Sequence, residues 1–328
     1  MNEDLPGQPV LIGSSPRLCE IRRLIEKLGR VESPVLVLGE TGTGKEVVAR
    51  LIHQANPHGP FVPIDCSALV GTLLESELFG HAKGAFTGAV AGKPGLLTAA
   101  NGGTAFFDEI GELPVRLQGK LLRAIQEKEI RPVGAVTRCR ASFRVIAATN
   151  RDLAREVERG RFRRDLYYRL NVVTLRLPPL RDRKEDIPEL VEFFLARHGN
   201  RHTLSAPVLE ALLAYDWPGN VRELENCIER MVAINSGPVL HPADLPTAVQ
   251  NHLHQEMAEG FARQAVVARV APDVTEPPGI VPLEEAERQA IEKALAFTHG
   301  DRAQAAQLLG IGRTTLYRRL KRYRSACA

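Results

Sequence analysis

The chain has 328 residues, of which 44% are hydrophobic and 25% are charged. At about 150 residues per domain, this length predicts two domains, or one large domain with an appendage. The formal charge of +4 is too small to indicate a class of partner. The five cysteines form no CxxC pair, and neither a signal peptide nor an apolar run of about 18 residues is present. We therefore predict a cytoplasmic protein with reduced thiols and no membrane partner.

The first two thirds of the chain alternate apolar, β-rich runs with amphipathic helical patterns, which is typical of a parallel sheet covered by helices. The predicted strands are residues 35–38, 61–64, 104–107, 143–148 and 172–175. The clearest predicted helices are residues 18–28, 46–53 and 117–127. We expect a short tail at residues 1–9 and an α/β subdomain over residues 10–177.

The β signal disappears after residue 177, and helical patterns replace it. The predicted helices are residues 187–197, 206–215 and 221–234. We therefore expect an all-helical subdomain over residues 178–250. Prolines and a glycine crowd residues 272–282, which predicts a linker within 251–282. A compact helical module over residues 283–328 completes the chain.

A glycine-rich turn, GETGTGKE, stands between the strand predicted at 35–38 and a helical pattern. Backbone N–H groups of such a turn surround phosphate oxygens, the helix N-terminus adds its dipole, and Lys45 reaches the β- and γ-phosphates. A plain strand-to-helix turn would not need these features together. Glu46 occupies the place where a Ser or Thr hydroxyl usually binds magnesium. The predicted nucleotide-binding residues are Gly39, Glu40, Thr41, Gly42, Thr43, Gly44, Lys45 and Glu46.

Polar side chains follow two other predicted strands. Asp108 and Glu109 end the strand at 104–107, and Thr149 and Asn150 end the strand at 143–148. Together with a phosphate loop, Asp108 suits coordination of a metal ion and Glu109 suits polarisation of the attacking water. A solvated turn is the alternative for this acidic pair. The carboxyl ends of parallel strands meet at one edge, so all four side chains are expected beside the phosphates.

The run FRRDLYYRL at residues 162–170 places several guanidinium groups within two helical turns. Such groups are planar and permanently charged, which suits stabilisation of a phosphoryl-transfer transition state, including from a neighbouring subunit. Salt-bridged surface arginines are the alternative.

Several stretches resemble the signature sequences of sigma-54-dependent transcriptional activators, the bacterial enhancer-binding proteins of the AAA+ ATPase superfamily. They are GETGTGKE, ESELFGH at 75–81, GAFTGA at 84–89, FRRDLYYRL, LPPLRDR at 177–183 and WPGNVREL at 217–224. GAFTGA is the most specific of them, because other AAA+ branches lack it. The resemblance implies an AAA+ P-loop NTPase fold with a parallel sheet and a helical lid subdomain. It also implies ATP and Mg²⁺ as cofactors, sigma-54 and RNA polymerase as partners, and self-association into a hexameric ring.

The same resemblance implies roles for individual residues. Arg163 and Arg169 would be arginine fingers that act on a neighbouring subunit, and Arg222 would be a second sensor in the lid. Thr149 and Asn150 would be the first sensor. The mobile loop that touches sigma-54 would consist of Gly84, Ala85, Phe86, Thr87, Gly88 and Ala89. Glycines allow such a loop to swing, and an exposed Phe offers an apolar anchor to a partner.

Two positions depart from the family pattern. Members commonly carry Asn where Asp65 stands, in a switch pairing with the catalytic Glu, and Glu where Thr98 stands. Asp65 accepts hydrogen bonds but cannot donate an amide N–H, and it adds a negative charge near Glu109. We expect these departures to affect the coupling between nucleotide and loop rather than the ATPase assignment.

The C-terminal module has the pattern of a helix-turn-helix domain. A helix is predicted at 283–297, a second at 302–309, a turn at 310–312 and a last helix from residue 313. The last helix is basic, which predicts DNA binding, although a solvated helix face is the alternative. The module resembles the Fis-type domains of this activator family. The predicted DNA-binding residues are Arg313, Thr314, Thr315, Tyr317, Arg318, Arg319, Lys321 and Arg322.

These motifs predict an ATPase that binds enhancer DNA and remodels the closed complex of sigma-54 RNA polymerase into an open complex. A regulator of ordinary sigma factors is disfavoured by the intact GAFTGA string. A repressor without ATPase activity is disfavoured by Lys45, Asp108 and Glu109, and a clamp-loader or protease-type ATPase by the C-terminal module. Sensory domains of this family normally precede the ATPase, and few residues precede Val10. We therefore expect a separate regulatory protein, or the level of expression, to control activity.

Overall fold

A computed structural model describes residues 9–68, 72–87, 89–199, 202–235 and 237–252, together with positions 290, 291, 293, 294, 298 and 316. The chain divides into two compact units, Met1–Glu259 and Gly260–Ala328. The described part of the first unit contains an α/β subdomain, followed by a helical subdomain that we define as residues 180–252. None of the described helices is long and apolar enough to cross a membrane.

The α/β subdomain contains seven helices and nine strands within the described ranges. In chain order these are α1 (Pro16–Gly29), β1 (Val35–Leu38), α2 (Lys45–Gln54), β2 (Phe61–Asp65), α3 (Thr72–Phe79), β3 (Gly80–His81), β4 (Lys93–Pro94), α4 (Leu96–Ala99), β5 (Thr104–Asp108), α5 (Val115–Glu127), β6 (Glu129–Ile130), β7 (Cys139–Arg140), β8 (Arg144–Thr149), α6 (Leu153–Glu158), α7 (Arg164–Leu170) and β9 (Val173–Arg176).

Five strands form one parallel sheet in the order β2-β5-β8-β1-β9. The five strands predicted from the sequence are confirmed, and each boundary lies within one residue of its prediction. In this register Asp65 lies opposite Asp108, and Leu38 lies opposite Thr149. Because all five strands run the same way, their carboxyl ends form one edge, where ligands bind in open α/β sheets.

The central strands are apolar without alternation because both faces of the sheet are covered. Phe106 is buried on the face that packs against α1 and α2, in a cluster that includes Leu18 and Val48. Phe107 is buried on the other face, in a cluster with residues of α3, α4 and α5, such as Leu78 and Leu121. The two hydrophobic clusters hold the edge with the predicted site in a fixed position between the helical layers.

The helical subdomain contains α8 (Ile187–Arg197), β10 (Thr203–Leu204), α9 (Ala206–Ala214), α10 (Asn220–Ile234) and β11 (Val239–Leu240), between 3₁₀ stretches at Leu180–Asp186 and Pro242–Asp244. Its strands within the described residues, β10 and β11, pair in parallel and are too short to give a sequence signal. Its core surrounds Trp217, which is fully buried and donates a hydrogen bond from Nε1 to the Leu212 carbonyl at 2.7 Å.

Of the second unit, the structure describes only isolated positions. Ile291 and Leu316 are helical and buried, in keeping with the helices predicted around them. The eight predicted DNA-binding residues, from Arg313 to Arg322, lie outside the described residues. The same holds for residues 1–8 of the predicted tail, for residues 253–282 of the predicted linker and for Gly88.

Candidate nucleotide site

The phosphate loop, residues 39–45, connects the end of β1 to the start of α2. Gly42 and Gly44 have positive φ angles of 79° and 102°, which only glycine adopts without strain. Gly42 also has no room for a side chain, since a Cβ there would lie 2.2 Å from the Gly219 carbonyl oxygen. The loop therefore turns tightly into the N-terminus of α2, the geometry that binds phosphate groups.

Lys45 and Glu109 are brought together at the carboxyl edge of the sheet. The Lys45 Nζ lies 3.1 Å from the Glu109 Oε1 and donates to the carbonyls of Gly39 and Glu40 at 3.0 and 3.3 Å. Glu109 has a left-handed backbone with φ 47° and ψ 50°, and its Oε2 accepts a hydrogen bond from the Asn150 N–H at 3.1 Å. A non-glycine residue in this conformation is strained by about 1 kcal/mol or more, and such strain clusters at functional sites.

Asp108 is half-buried at the end of β5, where its Oδ1 accepts a hydrogen bond from the Glu109 N–H at 3.1 Å. Burial raises the pKa of the Asp108 carboxyl, and the negative charge of Glu109 raises it further, while Lys45 acts in the opposite direction. Because Lys45 does not fully offset these two effects, the Asp108 carboxylate suits the binding of a divalent cation. Mg²⁺ is usually held by one or two carboxylates plus substrate phosphates, and Asp108 supplies one such carboxylate.

Asp65 faces Asp108 across β2 and β5, but its carboxylate is engaged locally. Its Oδ1 accepts hydrogen bonds from the N–H and the Oγ of Ser67 at 2.8 and 2.6 Å, and these bonds lower the pKa of Asp65. The expected pairing of Asp65 with Glu109 is absent among the hydrogen bonds of the described residues. The negative charge of Asp65 instead helps to raise the pKa of Asp108, although its effect is smaller than those of burial and of Glu109.

The two predicted sensor residues at the end of β8 point to different neighbours. Asn150 Nδ2 donates to Thr41 Oγ1 at 3.1 Å, so this side chain contacts the phosphate loop. Thr149 is fully buried, and its Oγ1 accepts from the Arg151 N–H at 3.1 Å. Asn150 is therefore the member of the pair that touches the site, and Thr149 shapes the turn beneath it.

Three polar side chains of the GETGTGKE sequence bind protein groups within this site. The Thr43 hydroxyl donates to the Glu40 carbonyl at 2.8 Å, and Glu46 accepts from Arg50 at 2.7 and 3.0 Å. The Glu40 carboxylate forms a bidentate pair with Arg181 at 2.6 and 2.8 Å, and this hydrogen-bonded pair lowers the pKa of Glu40. Glu40 thus links the phosphate loop to the start of the helical subdomain.

Asn220 is a site residue that sequence reasoning missed. It is fully buried at the start of α10 with a positive φ of 56°. Its Oδ1 accepts from the Leu180 N–H at 2.8 Å, and its Nδ2 donates to the Thr41 carbonyl at 3.0 Å and to the Glu40 Oε2 at 3.2 Å. In the sequence the WPGN segment that leads into α10 indicates only a family motif.

Further contacts fix the helical subdomain on the phosphate loop. The buried Arg183 donates from Nη2 to the Thr43 carbonyl at 3.0 Å, and the Val221 N–H donates to the Gly42 carbonyl at 3.0 Å. The Arg222 N–H reaches the same Gly42 carbonyl at 3.3 Å. The Arg222 side chain is exposed and forms no hydrogen bond or ion pair within the described residues.

A cleft of about 1020 Å³ opens beside the phosphate loop, between α2 and the helical subdomain. Its apolar walls would accept a flat, hydrophobic group such as a nucleobase, in the manner of most small-molecule sites. Sequence reasoning did not predict these residues, because they come from segments far apart in the chain. The wall residues include Val10, Leu11, Ile12, Val47, Phe193 and Phe194.

The charged residues of the arginine segment, defined as residues 161–169, are all exposed. The Arg163 side chain is 46% exposed and forms a bidentate pair with Asp165 at 2.6 and 3.0 Å. Arg169 is also exposed. Within the described residues, neither Arg163 nor Arg169 makes a hydrogen bond or ion pair with the phosphate loop of its own chain.

The loop 84–89 lies between β3 and β4. Its Phe86 is 39% exposed, and its ring meets the edge of the His81 ring at a centroid distance of 5.0 Å. The Gly84 N–H donates to the Ala89 carbonyl at 2.9 Å, which closes the base of the loop. Thr87 is exposed at the tip, so the described part of the loop presents both residues to solvent.

The parallel sheet, the phosphate loop before α2, the acidic end of β5 and the helical subdomain define a P-loop NTPase of the AAA+ class. Comparison with protein families assigns the chain more closely. Residues 11–176 match the sigma-54 interaction domain, residues 181–260 the AAA+ ATPase lid domain, and residues 282–323 the Fis family of bacterial regulatory proteins. The chain belongs to the sigma-54-dependent transcriptional regulators, and its helical subdomain is the AAA+ lid.

Individual relatives agree with this assignment. The chain is 45% identical to the response regulator protein PilR of Pseudomonas aeruginosa, over 98% of the chain and 71% of PilR. It is 45% identical to the Escherichia coli regulator UacR, over 98% of the chain but only 55% of UacR. The crystal structure of NtrX from Brucella abortus in complex with ADP superposes with a TM-score of 0.68 at 29% identity, over 96% of this chain and 69% of NtrX. NtrX has also been solved in complex with ATP.

Proposed function

We propose that this protein hydrolyses ATP and uses the energy to convert the closed complex of sigma-54 RNA polymerase into an open complex. The observation that carries the proposal is the convergence of Lys45, Asp108 and Glu109 at one edge of the sheet. The exposed Phe86 and Thr87 of the GAFTGA loop lie on the same α/β subdomain. The family assignment supports sigma-54 as the partner, and the NtrX complexes support ATP as the ligand.

In the proposed reaction each site residue acts on a defined part of ATP. The glycine-rich loop and the N-terminus of α2 hold the phosphates, and the apolar cleft holds the base. Phosphate oxygens compete with Glu109 for Lys45, which leaves the Glu109 carboxylate free to orient the attacking water. Asp108 would hold Mg²⁺, which when bound neutralises charge on the phosphates. Asn150, between Thr41 and Glu109, keeps the catalytic carboxylate in register with the phosphate loop.

We propose that the arginine segment completes the site of a neighbouring subunit. Arg163 and Arg169 are exposed and do not contact the phosphate loop of their own chain in the described structure. An arginine that acts on the γ-phosphate in trans requires oligomers, and a hexameric ring is the arrangement implied by the family resemblance. Arg222, at the start of the lid helix, is proposed to sense the nucleotide by a movement of the lid.

The remaining parts of the chain are proposed to serve DNA binding and regulation. We propose an ATPase subdomain at residues 10–177, a lid at 178–250, a linker at 251–282 and a DNA-binding domain at 283–328. The match of residues 282–323 to the Fis family supports binding of the last domain to enhancer DNA. We place the protein in the cytoplasm, where its proposed polymerase partner acts, with a separate regulatory protein as a candidate partner.

Parallel assays of ATP hydrolysis and of open-complex formation at a sigma-54 promoter test the proposal. Glu109→Ala is expected to abolish hydrolysis, because it removes the carboxylate that is proposed to orient the attacking water. Thr87→Ala is expected to retain hydrolysis and to lose open-complex formation. The exposed Glu158 offers a matched control, and Glu158→Ala should behave as the wild type. Wild-type protein that hydrolyses ATP but never opens a sigma-54 promoter would contradict the proposal.

A further inference from the structure

Gln118 is a fully buried polar residue on α5 that the proposed reaction does not use. Its Nε2 donates to the Leu113 carbonyl at 2.8 Å and to the Arg161 carbonyl at 3.0 Å, and its Oε1 accepts from the Arg163 N–H at 2.8 Å. Both amide N–H groups and the carbonyl oxygen of the side chain are therefore bonded. A buried amide is costly unless it is bonded in this way, so this position serves a purpose that an apolar side chain would not.

One end of the Gln118 network belongs to the catalytic turn. Glu109 begins a 3₁₀ turn in which the Glu112 N–H donates to the Glu109 carbonyl at 2.8 Å and the Leu113 N–H donates to the Ile110 carbonyl at 3.1 Å. Gln118 binds the carbonyl at the far end of this turn. The Glu109 backbone is therefore connected to the Gln118 side chain through the hydrogen bonds of this turn and the backbone of Leu113.

The other end of the network belongs to the arginine segment. Gln118 holds the backbone of Arg161 and Arg163, and the buried carboxylate of Glu156 holds the Arg161 side chain with two bonds of 2.7 Å. Phe162, between the two arginines, is buried. The backbone at the root of the Arg163 side chain is thus fixed, whereas the guanidinium itself lies at the surface.

We propose that Gln118 is a positioning residue that couples the Glu109 turn of one subunit to the Arg163 finger that this subunit presents to its neighbour. The inference rests on the proposed function, because Arg163 must act in trans for the coupling to matter. In the described structure the hydrogen bonds of the Gln118 side chain all go to backbone groups, which fits a positioning role rather than a catalytic one. It acts by fixing the backbone from which Arg163 extends, and it passes the state of one active site to the next subunit.

Two variants of Gln118 and one control test this role in steady-state ATP hydrolysis. Gln118→Met keeps the length of the side chain and removes all three bonds, whereas Gln118→Glu keeps the acceptor for the Arg163 N–H and removes both donors. We expect Gln118→Met to lower kcat by about 100-fold with little change in the KM for ATP, because a misplaced finger affects the transition state. Gln118→Glu should lower kcat at least as much, because its second carboxylate oxygen replaces the Nε2 donor and faces the carbonyl oxygens of Leu113 and Arg161. Gln126→Met, at an exposed position of the same helix, should match the wild type.

A mixing experiment separates positioning in trans from a local structural role. Gln118→Met has a defective finger, and Glu109→Gln has a disabled site but an intact finger. Rings formed from both should hydrolyse ATP faster than the average of the two variants alone, because intact sites then receive intact fingers. Arg163→Ala mixed with Glu109→Gln sets the reference for such a gain. Circular dichroism and binding of a fluorescent ATP analogue confirm that each variant is folded.

The outcomes are distinct. A gain with Arg163→Ala but none with Gln118→Met or Gln118→Glu would show that Gln118 acts within its own subunit and would overturn the inference. A rise in KM without a fall in kcat would do the same. No gain in the Arg163→Ala reference would overturn both the trans-acting finger and its coupling to Gln118. Absence of hydrolysis by the wild type would instead refute the proposed function itself.

Discussion

Replacing Asn220 by Ala tests how the lid is held on the phosphate loop. The truncation leaves the buried Leu180 N–H without its acceptor, which costs about 1–3 kcal/mol. It also removes the donations to Thr41 and Glu40, worth about 1 kcal/mol net. At φ 56° an alanine costs about 1 kcal/mol more, since the left-handed conformation crowds its Cβ. We therefore expect Asn220→Ala to lower the free energy of unfolding by about 4 kcal/mol.

Trp217 provides the assay, because it is the one tryptophan of the chain and lies fully buried in the lid. Urea unfolding followed by its fluorescence reports on the lid without interference from the other domains. Asn220→Gly should be about 1 kcal/mol more stable than Asn220→Ala, because glycine tolerates the positive φ. Asn226→Ala, at an exposed position of α10, should change stability by less than about 0.5 kcal/mol.

The order of the two Asn220 variants decides whether the reasoning holds. In an ordinary helix interior, glycine is less stable than alanine by about 1 kcal/mol, so the expected order is reversed here. If Asn220→Gly proved less stable than Asn220→Ala, the left-handed conformation would not govern this position. If Asn220→Ala cost less than about 1 kcal/mol, the hydrogen bonds to Leu180, Thr41 and Glu40 would not hold the lid.

Two further predictions concern the carboxylates of Asp108 and Asp186. Asp108→Asn should abolish hydrolysis yet raise the thermal stability at pH 7. Folding raises the pKa of Asp108, so ionisation of this carboxyl lowers the stability of the wild type at pH values above the ordinary pKa of 3.8. The gain in stability of the variant should therefore vanish in circular dichroism melts below that pH. A gain that persists at low pH would contradict this cause. Asp186 is fully buried and accepts from the Ser15 N–H and Oγ at 2.7 Å each, so Asp186→Ala should cost about 3 kcal/mol in urea unfolding. Asp182→Ala, which breaks only the exposed pair with Arg17, should cost less than about 0.5 kcal/mol; equal losses would refute the role of burial.

The parts of the site that follow a strand could be predicted from the sequence. The apolar runs fix where β1, β5 and β8 end, and a parallel sheet brings Lys45, Glu109 and Asn150 to one edge. The engagement of Asp65 with Ser67 was also within reach, since an aspartate often bonds the backbone two residues further on. Site residues that belong to a local sequence motif can therefore be predicted before the fold is known.

The contacts between subdomains could not be predicted in this way. Asn220 bonds Glu40 from 180 residues away, and Arg183 bonds Thr43 from 140 residues away. Neither contact leaves a periodicity or a spacing in the chain, because each depends on how two separately folded segments dock. The cleft beside α2 was missed for the same reason, since Val10 and Phe193 line one cleft only in the folded protein.

The pair between Arg163 and Asp165 has a consequence for the selectivity of the proposed finger. An unpaired guanidinium group on a surface attracts almost any anion, whereas the Arg163 guanidinium already binds the Asp165 carboxylate through two hydrogen bonds. A rival anion must offer more charge than Asp165 to take its place, which a phosphate group does and a single acidic side chain does not. Asp165 would then set a threshold, so that the proposed finger responds to phosphate groups and ignores stray acidic side chains.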